Sequence, residues 1–323
     1  MKQFLRYSRV IAMILVLAQV FSMCAFAELV SAQEVTYYTR PDHWYTDLSE
    51  YSSRVYYDLA YCGENSTESE ILHLVLPDDA EGPYPVLVYV HGGALLSLNS
   101  SDHMCAYTVE AALHALKDGY AVACVDYTLT DPEQGINAIP TAIYEVKAAI
   151  RFLRSIADEY NLDAERVALI GESAGGYLVD IVGTTNGEAA YDYEPFGNME
   201  YSSDVQAVIG QYSLALLDEI AISVFCGIDP STMSAEELQE FNEFASAIYH
   251  VDENDPPFYL QHGLTDSEVP YTQSCDFFNA LEMAGVENCE LTLYSGMEHA
   301  VSWFQSEENA EGYMAWLNRL FEK

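Results

Sequence analysis

The sequence predicts an α/β protein, with a mostly parallel central sheet and helices on both faces. Three observations predict it. Short apolar runs alternate with helix-compatible stretches through most of the chain, the order that builds right-handed β–α–β crossovers. The runs at 86–90 and 167–170 are apolar throughout rather than alternating, as strands covered on both faces are. The second run breaks into Gly171-Glu-Ser-Ala-Gly175 and then a helix-compatible segment, giving strand, sharp turn and helix in succession.

The elements follow in order. Lys2, Arg6 and Arg9 precede an apolar run over 10–20, and Ala25-Phe-Ala27 offers small residues for cleavage before Glu28. This pattern predicts a secretory signal peptide over 1–27, with Val30-Ser-Ala32 as a second cut, and hence a secreted protein. Met23 is too large beside Cys24 for a lipid-attachment site, so no lipoprotein anchor is expected. No later run approaches the roughly 18 apolar residues a membrane span needs. Residues 28–323 then read as one domain. An irregular Tyr- and Trp-rich arm covers 35–53; strands at 54–62 and 70–77 form an antiparallel hairpin. Strand 86–90 leads through His91-Gly-Gly-Ala94 to a helix over 104–118 and a strand over 121–127. A long helix is predicted over 139–160, where Ala142, Val146, Ala149, Ile150 and Leu153 share one face. Asn161-Leu-Asp-Ala-Glu165 turns back into the strand before Gly171, and another strand covers 205–212. Residues 213–255 interrupt the rhythm: they are polar and acidic, with one helix announced by Ser234 and Glu237 as a capping box. Such an insertion at the carboxyl edge of the sheet predicts a cap over a site. Strand 256–262, helix 274–283, strand 289–294 and helix 308–321 complete the domain.

Composition narrows the partners. A formal charge of −39 repels nucleic acid and anionic membranes and favours neutral or cationic ligands. Beyond the leader, Cys62, Cys105, Cys124, Cys226, Cys275 and Cys289 match no zinc spacing. Outside the cell a Cys275–Cys289 disulfide would close a helix against the next strand, whereas Cys124, inside an apolar strand, reads as a buried thiol. Asn65-Ser-Thr and Asn99-Ser-Ser are glycosylation sequons.

The chemistry starts at Ser173. A serine between two glycines at a strand–helix turn is forced into a strained backbone geometry, and a side chain at 171 or 175 would collide with the neighbouring strand or helix. Its hydroxyl then stands clear of the sheet over a helix N-terminus, where N–H groups favour a developing anion. Such a hydroxyl needs a base, and the base needs a carboxylate to orient it. Of the eight histidines, His299 lies beyond every plausible acid, in the loop after the last predicted strand. His73 and His114 read as packing or surface residues, and His250 and His262 as structural hydrogen-bonders. Asp266 follows the strand ending at His262 and is the expected acid; Glu268 shares its loop and is the alternative. Asp252 and Asp255 read as solvated charges on the cap. The backbone N–H groups of Gly93, Ala94 and Ala174, with Gly92 as a further member, would form an oxyanion hole worth roughly 3 kcal/mol per donor. No metal or cofactor is required.

His91-Gly-Gly93, Gly171-Glu-Ser-Ala-Gly-Gly176, Asp266-Ser-Glu-Val-Pro270 and Gly296-Met-Glu-His299 together resemble the α/β-hydrolase superfamily, specifically its hormone-sensitive-lipase-like esterases. Val125-Asp-Tyr127 and Pro256-Pro257 support the match. The resemblance implies Ser173, Asp266 and His299 as a catalytic triad. It departs at Ala94, where a third glycine is usual; an alanine still supplies an N–H, but a requirement for positive φ would leave room for a different arrangement of the hole. The wording is similar to feruloyl and acetyl-xylan esterases, which implies a small-molecule or oligosaccharide ester as substrate. The 25 tyrosines suit a stackable sugar. The alternatives are a general short-chain carboxylesterase or lipase-like enzyme, a prolyl-oligopeptidase-type peptidase, whose propeller this length does not hold, and a silent binding protein on the same fold.

Overall fold

The computed structural model describes residues 28–31, 46–63, 66, 69–96, 109–131 and 133–322. The leader over 1–27, both sequons at Asn65 and Asn99, Cys105, most of the Tyr- and Trp-rich arm and the start of the helix expected over 104–118 lie outside them.

Among the described residues nine strands form one sheet in the order β1-β9-β8-β7-β6-β4-β5-β3-β2. They are β1 (Glu28–Ser31), β2 (Arg54–Ala60), β3 (Ile71–Leu76), β4 (Tyr84–Val90), β5 (Ala121–Val125), β6 (Leu162–Glu172), β7 (Ala207–Gln211), β8 (Phe258–Gly263) and β9 (Glu290–Ser295). Only the pairs made by β3, with β2 and β5, are antiparallel. The strand β1, parallel to β9 at the edge, has no counterpart in the sequence reading.

The apolar runs behave as their composition requires. Val86, Val88 and Val90 of β4 enter one core, while Leu87 and Tyr89 enter the other. Each such side chain contributes roughly 1.5–3 kcal/mol by leaving water, so a strand buried on both faces has no use for polar alternation. The first core is covered by α2 (Thr141–Ser155) and α4 (Ala174–Gly183), the second by α1 (Glu110–Leu113) and α8 (Glu307–Leu320). Helix α2 buries the predicted face, including Ala142, Val146, Ala149, Ile150 and Leu153. It stops at Ser155; Ile156 leaves helical geometry and a single turn, α3 (Ala157–Tyr160), ends on left-handed Asn161. Of the segment expected as a turn over 161–165, Asn161 alone turns; Leu162 already begins β6.

The insertion after β7 holds α5 (Glu219–Phe225), capped by the Asp218 carboxylate, and α6 (Ala235–Ala245), which carries the expected Ser234/Glu237 capping box. It packs on the rest of the domain through Tyr191, whose Oη donates to the Phe244 carbonyl at 2.7 Å. Asp255 is half-buried at the end of the insertion; its carboxylate accepts from the Asp252 N–H at 3.0 Å, and burial pushes its carboxyl up to about 7.

The disulfide reading is corrected. Cys275 and Cys289 are not bonded to each other. Cys275 lies in the first turn of α7 (Thr272–Ala284) and Cys289 beyond its last, so the rise of about 1.5 Å per residue separates them by more than a disulfide spans. The Cys289 Sγ instead accepts from the Phe258 N–H. Cys124 is a buried thiol, as expected, with its ionisation pushed up by burial.

Candidate active site

Each site residue reaches the carboxyl edge of the sheet by a local cause. Gly171 ends the apolar part of β6 against the first turn of α4: a Cβ there would sit 2.4 Å from the Gly175 carbonyl oxygen. At Gly175 a Cβ would sit 2.1 Å from the Val90 carbonyl oxygen and 2.5 Å from that of His91. These two approaches fold the chain sharply enough to leave Ser173 at φ 52°, ψ −117°, a strained conformation for a residue with a side chain. The turn is thus a strained elbow, as the two glycines predict.

The Ser173 Oγ lies 2.9 Å from His299 Nε2, and His299 Nδ1 lies 2.8 Å from Asp266 Oδ2. Nδ1 faces a carboxylate, so it carries the proton, and Nε2 accepts from the serine hydroxyl. His299 is brought from the loop after β9 and Asp266 from the loop after β8. The two carboxylates of this loop are placed differently. The Asp266 Oδ1 accepts the N–H groups of Glu268 at 2.9 Å and Val269 at 2.8 Å, which turns Oδ2 toward the imidazole. Glu268 is exposed and approaches only the serine-facing nitrogen, at 4.0 Å. Burial raises the Asp266 carboxyl, but hydrogen bonds from His262, His299 and the Val269 N–H outweigh it and hold the group well below the usual carboxylate range.

The strand-end loop after β4 faces the elbow. A Cβ on Gly92 would stand 3.0 Å from the Glu172 carbonyl oxygen and 3.4 Å from Ser173 Cβ. Gly93 has φ 111° and Ala94 φ 58°. The alanine therefore does hold the left-handed geometry where a third glycine is usual, at a cost of about 1–2 kcal/mol. No hydrogen bond among the described residues uses the N–H of Gly93 or Ala94. The loop is fixed from behind. The His91 ring stacks on Tyr127 with centroids 4.2 Å apart, its Nε2 lies 3.3 Å from Asp126 Oδ1, and Tyr127 Oη donates to the His91 carbonyl at 2.7 Å. That contact set explains the Asp126-Tyr127 pair.

Two neighbours escaped the sequence reading. Glu172, between the glycine and the serine, is buried and accepts from Tyr89 Oη at 3.1 Å and from Tyr212 Oη. The Tyr212 ring meets His299 edge to face at 4.8 Å and walls one side of the imidazole. Tyr212 directly follows β7, so its place at the carboxyl edge was available from the strand order; its partner was not.

With this geometry in view, comparison with known proteins becomes informative. The BD-FAE family model matches residues 72–281, more than half of the chain. The chain belongs to the BD-FAE family. This is a family of α/β-hydrolase esterases, as the fold and motifs indicate. Esterase LipC of Mycobacterium tuberculosis is 29% identical over 203 residues, covering 62% of this chain and 48% of LipC. The chain spans about half the length of the curated relatives it matches. Among solved structures, a truncated carbohydrate esterase from gut microbiota superposes with a TM-score of 0.70 at 24% identity, covering 84% of this chain and 98% of that one. A bifunctional GH43-CE protein of Bacteroides eggerthii gives 0.69 at 26% identity, covering 82% of this chain and 38% of its own. The BD-FAE match reaches from β3 through most of α7, which includes the elbow and Asp266 but not His299.

Proposed function

We propose that the protein is a serine carboxylic-ester hydrolase working through an acyl-enzyme on Ser173. The observation that carries this is the series Ser173 Oγ, His299 and Asp266, at 2.9 and 2.8 Å, beside the Gly93–Ala94 loop. His299 Nε2 takes the hydroxyl proton as Oγ bonds to the acyl carbon. The negative charge gathers on the former carbonyl oxygen, toward the N–H groups of Gly93, Ala94 and Ala174. Asp266, ionised, stabilises the imidazolium. As the C–O bond to the alcohol breaks, Nε2 returns the proton to the leaving oxygen. Water then repeats the sequence on the acyl-enzyme and frees the carboxylic acid and Ser173.

The substrate reading is an acetyl or feruloyl group on plant polysaccharide fragments. Its support is the similarity to a protein named a carbohydrate esterase, the strongly acidic composition and exposed aromatic rings such as Tyr193 and Tyr201. Secretion through the 1–27 leader suits such a substrate, and residues 213–255 would serve as the cap. Among the described residues no helix is long and apolar enough to cross a membrane. A general short-chain carboxylesterase is the second reading, favoured by the similarity to a protein named simply as an esterase. Release of acetate and ferulate from xylan oligosaccharides, set against p-nitrophenyl acetate, separates the two. Turnover of the simple ester alone removes the polysaccharide reading. Full turnover by Ser173→Ala removes the serine mechanism.

A further inference from the structure

Asp266 has a second histidine. His262, the penultimate residue of β8, is fully buried, with Nε2 3.0 Å from the Val269 carbonyl oxygen and 3.3 Å from Asp266 Oδ2. A carbonyl oxygen only accepts, so Nε2 carries a proton, and that N–H is shared between Val269 and Asp266. The other nitrogen, Nδ1, lies 2.8 Å from Ser274 Oγ in the first turn of α7. The Oδ2 atom that faces His299 Nδ1 at 2.8 Å therefore also faces His262 Nε2.

From this we infer that His262 is a positioning residue for the reaction: its Nε2–H fixes the Asp266 carboxylate at the distance and angle at which His299 can use it. The inference rests on the serine-hydrolase reading above and deepens it. The physical reason is rotational. Oδ1 is held by the N–H groups of Glu268 and Val269, and the loop's first residues are tied to β9 and the loop after it through Leu264 N–H to the Tyr294 carbonyl and Thr265 N–H to the Met297 carbonyl; none of these bonds holds Oδ2. His262 ties that loop to the strand at two points, the Asp266 side chain and the Val269 backbone, while Ser274 fixes the imidazole from the helix side. Strand, loop and helix are thereby pinned around one oxygen. Any buried imidazole needs partners for its nitrogens; what bears on the reaction is that one partner here is the same Oδ2 that faces His299.

The test uses the full chain with p-nitrophenyl acetate. In His262→Phe the ring is kept and the N–H lost; kcat should fall about 10²-fold, the scale of a misplacement near 1 Å. KM should stay within about two-fold, because the lost interaction acts on the transition state. Glutamine places an amide N–H near the Nε2 position, whereas asparagine places it near Nδ1. His262→Gln should therefore recover most of kcat and His262→Asn should not, a contrast that survives even if the phenylalanine variant fails to fold. Equal kcat in the Gln and Asn variants, or wild-type kcat in the Phe variant, overturns the inference. Ser173→Ala run in parallel separates the two levels: its full activity defeats the serine-hydrolase reading itself. An inactive Ser173→Ala beside a fully active His262→Phe defeats only the positioning role.

Discussion

Gly175→Ala tests how the elbow and the loop after β4 are built against each other. Gly175 lies in the first turn of α4, where alanine is preferred over glycine by about 1 kcal/mol on helix propensity. A local view predicts a more stable protein. The structure predicts the reverse, because the new Cβ would lie 2.1 and 2.5 Å from two backbone carbonyl oxygens, Val90 and His91, and neither is the end of a flexible side chain. Restoring ordinary contact needs roughly 1 Å of movement between α4 and the end of β4. Overpacking of this kind costs about 1–3 kcal/mol, which exceeds the propensity gain. The same movement separates the Ala174 N–H from those of Gly93 and Ala94, so kcat should fall about 10²-fold. Thermal unfolding and p-nitrophenyl acetate turnover are measured on both Gly175→Ala and Gly187→Ala. Gly187 has φ 72° and open space, with no atom within 4 Å, where an added methyl would stand. Its substitution therefore strains the backbone by about 1–2 kcal/mol without touching the site. The expected pattern is a loss of stability in both and of kcat only in the first. Wild-type kcat and stability in Gly175→Ala would refute the reasoning.

Asp266→Asn should lower kcat by about 10³–10⁴-fold, while Glu268→Gln changes it by only a few-fold; steady-state kinetics that reverse this order would make Glu268 the acid. Glu145 gives a pH prediction. Burial, opposed by hydrogen bonds from Thr128 and assisted by Glu70, pushes its carboxyl up to about 8 in the folded protein. An acid raised on folding contributes stability at low pH and loses it as pH rises from its ordinary value through the folded one. Between about pH 4.5 and 8, wild type should therefore lose stability relative to Glu145→Gln, which cannot ionise; parallel denaturant curves across that window would contradict it.

Much of the site was legible because its parts obey local rules. Two glycines around a serine after an apolar run imply a tight turn whatever surrounds it, and the order of Asp266 and His299 follows from strands ending at one edge. Asp266 and Glu268 share a loop, so their placement could not be read from the sequence; in the structure the N–H groups of 268 and 269 hold one oxygen of Asp266 and its other oxygen faces His299. Ala94 likewise needed the structure, because only its φ of 58° shows that an alanine occupies the left-handed position. What stayed hidden depends on distant partners. The four residues of β1 have no period of their own and are defined by pairing with β9. Tyr212 gains its place beside His299 through Glu172, far from it in the chain. The Cys275–Cys289 pairing failed because adjacency of helix and strand in sequence says nothing about which end of the helix each sulfur occupies.

The proposed acyl-enzyme is a covalent bond to one oxygen, Ser173 Oγ, and can be observed directly. The protein is mixed with p-nitrophenyl acetate, quenched in acid during the first turnover, digested and analysed by mass spectrometry. An acetyl group is expected on the peptide containing Ser173, matched by a stoichiometric burst of p-nitrophenol. Turnover with no acyl adduct, or with the adduct on another residue, would contradict it.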